Sequence, residues 1–154
     1  MFKIDDELTG YKSVAIAGHI RPDGDCVGSC LALYNYLSGC REELGLERID
    51  VFLEPFNNVF NMLAGSDKIR HDYNTEASYD VLVALDCGSI DRLGEAQRIF
   101  AEAKKTINID HHISNTNFAR VNHVVADASS TCEVLYSLLD QDRLTKEIAE
   151  ALYI

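Results

Sequence analysis

Residues 13–29 read SVAIAGHIRPDGDCVGS, a short run of small and β-branched apolar residues that passes directly into a polar turn crowded with ligand-type side chains. The first part, 13–17, has the length and Val/Ile content of a buried strand, and the chain repeats the device three times: at 49–53, 80–85 and 106–109. The third and fourth runs are apolar nearly throughout rather than alternating, which predicts a sheet covered on both faces. Between the runs lie segments of helical period. Val27, Leu31, Tyr34 and Leu37 mark one face of a helix that Ser38 and Gly39 end. A shorter helix is predicted around 59–63, stopping at Gly65, and another over 95–103 gathers Ile99, Phe100 and Ala103. Ser130 and Glu133 fit a capping box that opens a further helix, and a last one follows Thr145. Strands alternating with crossover helices predict an α/β fold: a parallel doubly wound sheet with helices on both faces. No internal repeat or flexible linker divides 1–154, so one domain is expected.

Composition narrows the function classes. With 154 residues, 47% of them hydrophobic and only two prolines, the chain can bury a sizeable core, and disorder or low complexity is excluded. No apolar run approaches the ~20 residues of a membrane helix. The first ten residues carry Asp5, Asp6 and Glu7 where a secretory signal would be basic and then apolar, so a cytoplasmic location without a membrane partner is expected. A formal net charge of −11 opposes binding to long duplex nucleic acid, which relies on Lys and Arg displacing counterions. A short anionic ligand stays open, because bound cations reverse the local sign. Five cysteines without a C-x-x-C pair fit neither a disulfide framework nor a four-cysteine zinc site.

The polar residues fall where the strands end. His19, Arg21, Asp23 and Asp25 follow the first strand, Asp86-Cys-Gly-Ser89 the third, and Asp110-His111-His112 the fourth. In open parallel sheets ligands bind in the crevice outside the carboxyl ends of the strands. Four carboxylates gathered there would repel, a pair at ~4 Å by ~4 kcal/mol at an effective dielectric near 20. That is comparable with the ~5 to 15 kcal/mol that holds a whole domain together. Arg21, the one basic residue in the three clusters, cannot balance them; two divalent cations could. Oxygen-rich ligation with some imidazole suits Mn or Mg best, with Co, Zn or Fe open. Such a pair of ions activates a water and clamps a phosphoryl group.

Other residues have plainer readings. Gly24 allows a tight turn between the two aspartates, and Gly28 lets the following helix approach the sheet. Cys26 and Cys87 read as small buried filler, Ser130 and Glu133 as a cap rather than a phosphate contact, and His71 and His123 as surface or loop residues. Arg21 either clamps a phosphate or points to solvent.

His19 to Ser29 as H-x-x-P-D-G-D-x-x-G-S, Asp86 to Ser89 as D-x-G-S, and the triplet Asp110-His111-His112 together resemble the DHH superfamily of metal-dependent phosphoesterases. The resemblance implies that His19 and Asp23 hold one ion and Asp25 and His111 the other, with Asp86 bridging. Manganese is the first choice, with Mg or Co as alternatives. His112 would face the scissile phosphate, Asp110 would orient the imidazoles, Asn115 would order the loop or touch substrate, and Arg21 would be a substrate contact. Gly24 and the Ser129-Ser130-Thr131 segment are similar to the nanoRNase type, whose members cleave short oligoribonucleotides and dephosphorylate 3′-phosphoadenosine 5′-phosphate. A small nucleotide or short oligonucleotide is therefore the expected partner, and a homodimer is compatible with it. Pyrophosphatase and cyclic dinucleotide phosphodiesterase activities belong to the same superfamily. Its fourth metal motif, an Asp after a later strand, has no counterpart before Ile154. The resemblance thus implies a domain cut before that motif and lacking the second, substrate-gripping domain. A metal- or nucleotide-binding module without full activity is the alternative.

Overall fold

A computed structural model describes residues 2–154. Five strands form one sheet in the order β2-β1-β3-β4-β5, all parallel. They are β1 (Ser13–Gly18), β2 (Arg48–Phe52), β3 (Val81–Leu85), β4 (Lys105–Asp110) and β5 (Val121–Val124). Side chains alternate between two separate cores. Val14, Ile16, Val81, Val83 and Leu85 point into the larger one, whereas Ala15, Ala17, Leu82 and Ala84 point into the smaller. Both faces are therefore apolar, which is why the central strands carry continuous apolar runs.

The larger core is covered by α1 (Ile4–Leu8), α2 (Gly24–Gly39), α5 (Thr131–Leu138) and α6 (Lys146–Leu152). The smaller is covered by the 3₁₀ turn Ile90–Ala96 and α4 (Gln97–Glu102), where Leu93, Ala96 and Ile99 are buried. A single-turn helix, α3 (Arg41–Leu44), follows α2. The sequence was kind to this fold at its helix starts. Thr145 caps α6 by accepting from Ile148 N at 3.3 Å, and Ser130 caps α5 by accepting from Glu133 N at 3.1 Å. The return arm of the capping box goes elsewhere: Glu133 accepts from the Ser129 hydroxyl at 2.9 Å.

Several local expectations differ. The fifth strand carries the mixed sequence Val-Asn-His-Val, all half-buried at the sheet edge, so no apolar run announces it. It places His123 in the sheet, stacked on Phe2. The 59–63 segment is a 3₁₀ turn, Asn58–Met62, and not an α-helix. Gly28 serves a different neighbour from the one expected. A Cβ there would collide with the carbonyl oxygen of Ala151, so it is α6, not the sheet, that approaches α2 closely. Among the described residues no helix is long and apolar enough to cross a membrane.

Strand β1 is flanked by β2 on one side and β3 on the other, and the order reverses between β1 and β3. The crevice outside that reversal is the standard ligand position of such sheets. Because Gly28 sets the α2–α6 contact against backbone, Gly28→Ala is expected to destabilise the chain by about 1–3 kcal/mol. Urea unfolding would check it, and an unchanged midpoint would contradict this packing.

Candidate metal centre

Three backbone devices deliver the polar side chains to the crevice. After β1 the chain turns so that His19 is buried, with Nδ1 2.5 Å from Ile20 O. A carbonyl only accepts, so Nδ1 carries a proton and Nε2 is the ring atom that faces the crevice. Asp23 begins α2 as its N-cap, accepting from Cys26 N at 3.0 Å. At the end of β3, Asp86 takes a left-handed conformation, φ 59°, that non-glycine residues adopt at a cost of about 1–2 kcal/mol. The kink turns its carboxylate into the crevice.

The arrangement around Asp86 has two sides. On one, His19 Nε2 lies 3.4 Å from Asp86 Oδ2 and 3.5 Å from Asp23 Oδ1. On the other, His111 Nε2 lies 3.7 Å from Asp86 Oδ1 and 3.5 Å from Asp25 Oδ2. These separations exceed the usual N–H···O range. They approach the about 3.0–3.4 Å that separates two ligand atoms each bound ~2.1 Å from one ion. The donors, imidazole nitrogen and carboxylate oxygen, are those a divalent first-row cation accepts. Cys26 Sγ also lies within 4.8 Å of His19 and Asp86 ligand atoms. Burial pushes that thiol well up, so it stays protonated and packs beside Gly18.

Protonation reports the charge imbalance. Burial raises the Asp86 carboxyl; the hydrogen bond with His19 pulls it back, and the Asp25 charge adds to the rise. For His19, burial alone would lower the pKa, but the contacts with Asp86, Cys26 and the Ile20 carbonyl together outweigh it and the ring is pushed up to about 11. Both shifts retain protons at a place where carboxylates need positive charge. A divalent cation would supply that charge in their stead.

Groups around these donor side chains hold them in position. Asp25 accepts from Thr131 N at 2.9 Å and Cys132 N at 3.0 Å, so it sits on the amino end of α5 as well as in the first turn of α2. The buried Thr131 hydroxyl donates to Asp86 Oδ1 at 3.0 Å. His112 Nδ1 donates to the fully buried Asp110 Oδ1 at 2.7 Å, leaving Nε2 free. Asn115 donates to Asp110 Oδ2 and to Asn108 Oδ1, each at 2.7 Å. Asn108 in turn donates to the carbonyls of Ala84 and Cys87, each at 3.1 Å, tying the two ligand-bearing loops together.

The structure thus gathers His19, Asp23, Asp25, Asp86, His111 and His112 in one place, with Asp110 and Asn115 behind them. Arg21 is exposed, with φ 51°, and its main-chain N–H donates to Glu54. Sequence reasoning singled out Thr131 only as part of the Ser129-Ser130-Thr131 segment, without its contact to Asp86, and passed over Asn108, whose only signal is a polar residue inside an otherwise apolar segment. It also passed over Arg92, Ser114 and Thr116, which line the crevice of about 370 Å³ beside His19, Asp86 and His112.

Comparison with known proteins gives the chain a family and a set of relatives. Residues 13–154 match the DHH family, N-terminal domain. A bifunctional oligoribonuclease and PAP phosphatase NrnA of Thermus thermophilus is 30% identical over 128 residues, which is 82% of this chain and 36% of that protein. A probable bifunctional oligoribonuclease and PAP phosphatase NrnA of Streptococcus mutans is 23% identical over 149 residues, 96% of this chain and 45% of that protein. The crystal structure of an exopolyphosphatase-related protein from Bacteroides fragilis superposes with a TM-score of 0.85 at 26% identity, over 97% of this chain and 46% of that one. The chain therefore spans less than half the length of each.

A carboxylate held charged against burial and its neighbours should be a liability in the metal-free chain. Asp86→Asn keeps the shape, and Asn tolerates the left-handed conformation. It is expected to raise the melting temperature of the metal-free chain, because burial and Asp25 oppose the Asp86 charge, and to abolish the further rise that Mn(II) gives the original protein. A variant that still gains stability from Mn(II) would contradict the central place of Asp86.

Proposed function

The chain belongs to the DHH family of phosphoesterases, and from that premise we propose that it hydrolyses phosphoester bonds of short oligoribonucleotides or of 3′-phosphoadenosine 5′-phosphate, using two divalent cations, Mn(II) first among them. The observation that carries this reading is the two-sided environment of Asp86, whose oxygens face different histidines. His19, Asp23 and Asp86 Oδ2 would hold one cation; Asp25, His111 and Asp86 Oδ1 the other. When bound, such a pair supplies Lewis-acid charge to a phosphoryl group and a nucleophilic water.

The remaining work falls to the chain's own residues. Thr131 and the amino end of α5 fix the Asp86 and Asp25 carboxylates, so little reorganisation is needed when a cation arrives. The same helix end favours the negative charge of Asp25. His112 is oriented by Asp110: with Nδ1 donating to that carboxylate, its free Nε2 is the atom that can meet the phosphate or hand a proton to the leaving oxygen. Asn115 holds Asp110 from the other side and thereby keeps the loop in register. Arg21 is a peripheral contact at most in this arrangement, since it is not among the residues that line the crevice.

The names of the relatives favour the oligoribonuclease and nucleotide phosphatase reading over pyrophosphate or cyclic dinucleotides. The alternative is a module that binds metal and nucleotide without turnover. One set of measurements separates them. The Mn(II)-loaded protein is expected to release phosphate from 3′-phosphoadenosine 5′-phosphate and mononucleotides from short RNA. His112→Ala is expected to slow both by about 10²–10⁴-fold while binding Mn(II) normally. Tight nucleotide binding with no hydrolysis of either compound would favour the module and reject the enzyme.

A further inference from the structure

Arg92 is a basic side chain in this crevice to which the chemistry above gives no task. It stands in the 3₁₀ turn Ile90–Ala96, shortly after the Asp86 cluster. Its main chain is pinned on both sides: Arg92 N donates to Ser89 O at 3.2 Å, and Ile20 N donates to Arg92 O at 2.8 Å. Two residues on, Gly94 has φ 58°, and a Cβ there would come within 2.6 Å of Ile20 Cγ2. The turn is thus pressed onto the loop after β1, and Arg92 is held beside His19.

Its charge is free. The guanidinium comes to 3.5 Å from His19 Nδ1, but that nitrogen gives its proton to Ile20 O and has no lone pair to offer. Among the described residues no carboxylate pairs with Arg92, although Asp23 and Asp86 line the same crevice. A guanidinium presents five N–H donors in a fork that matches phosphoryl oxygens. One imidazole ring separates this fork from the atoms facing Asp23 and Asp86. A single phosphoryl group with its hydrogen bonds spans such a width. Ser114 and Thr116 add hydroxyl donors from the β4–β5 connection, which is fastened to the Asp86 cluster by Thr116 N donating to Gly88 O at 3.0 Å.

We propose that Arg92, assisted by Ser114 and Thr116, is the residue that grips the phosphoryl oxygens of the substrate beside His19. The inference rests on the phosphoester reading above and names the anion contact that reading leaves open. It also moves that role from Arg21, which lies in the sequence motif, to an arginine outside it.

The test is calorimetric titration of inorganic phosphate, and separately of adenosine 5′-monophosphate, into the Mn(II)-loaded protein. Arg92→Gln is expected to weaken both by about 10- to 100-fold, the loss of hydrogen bonds to a charged group, with Mn(II) affinity unchanged. Arg92→Lys, which keeps the charge but not the fork, should recover only part. Arg120→Gln removes the same charge from an exposed position away from the crevice and should bind both anions as the original does. Undiminished phosphate affinity in Arg92→Gln, or equal losses in Arg120→Gln, would overturn the proposal. An original protein that binds Mn(II) and both anions through Arg92 but hydrolyses no phosphoester would leave this contact standing and reject the phosphoester reading instead.

Discussion

A buried carboxylate at the end of a central strand, Asp86, is the constraint around which this protein is organised. Charge is costly where water is excluded, and Asp86, already on a strained backbone, offsets that cost with a threonine hydroxyl and two flanking imidazoles. Its left-handed conformation turns the side chain across the sheet end instead of along the strand. From there one oxygen faces the loop after β1 and the other the loop after β4. Three loops that are distant in sequence become one donor set because a single residue stands between them.

The helices are fitted to the same requirement. α2 is buried along most of its length between the sheet and α6, and Gly28 gives up its side chain so that α6 can close over it. α5 begins where Asp25 needs hydrogen bonds: its first two N–H groups, which would otherwise lack partners, meet a carboxylate from another helix. One contact thus satisfies a helix end and fixes a ligand. The apolar cores supply the stability against which this acidic cluster is held, since carboxylates gathered around one crevice repel one another.

Much of this was legible in the chain, and the limits have physical causes. The apolar runs revealed the central strands because both faces of the sheet are covered; β5 escaped because an edge strand needs no continuous apolar surface. The three polar clusters were legible because each directly follows a strand, where a parallel sheet must present its loops. The roles of Thr131 and Asn108 were not, because a hydroxyl or amide acquires a role only from its partner. Arg92 was overshadowed by Arg21: sequence nearness to the ligand cluster suggested one arginine, whereas the 3₁₀ turn carried the other into the crevice.

What the sequence by itself determined was the class of fold, the set of ligand-type residues and their common edge of the sheet, since these follow from periodicity and from the position of polar turns after apolar strands. Only the tertiary structure decided how those residues divide between the two oxygens of Asp86, that the amino end of α5 binds the Asp25 carboxylate, and that Arg92 stands beside His19 with no carboxylate partner among the described residues. Such pairings depend on distances across the sheet end, and those distances are set by how the helices pack, not by the order of residues along the chain.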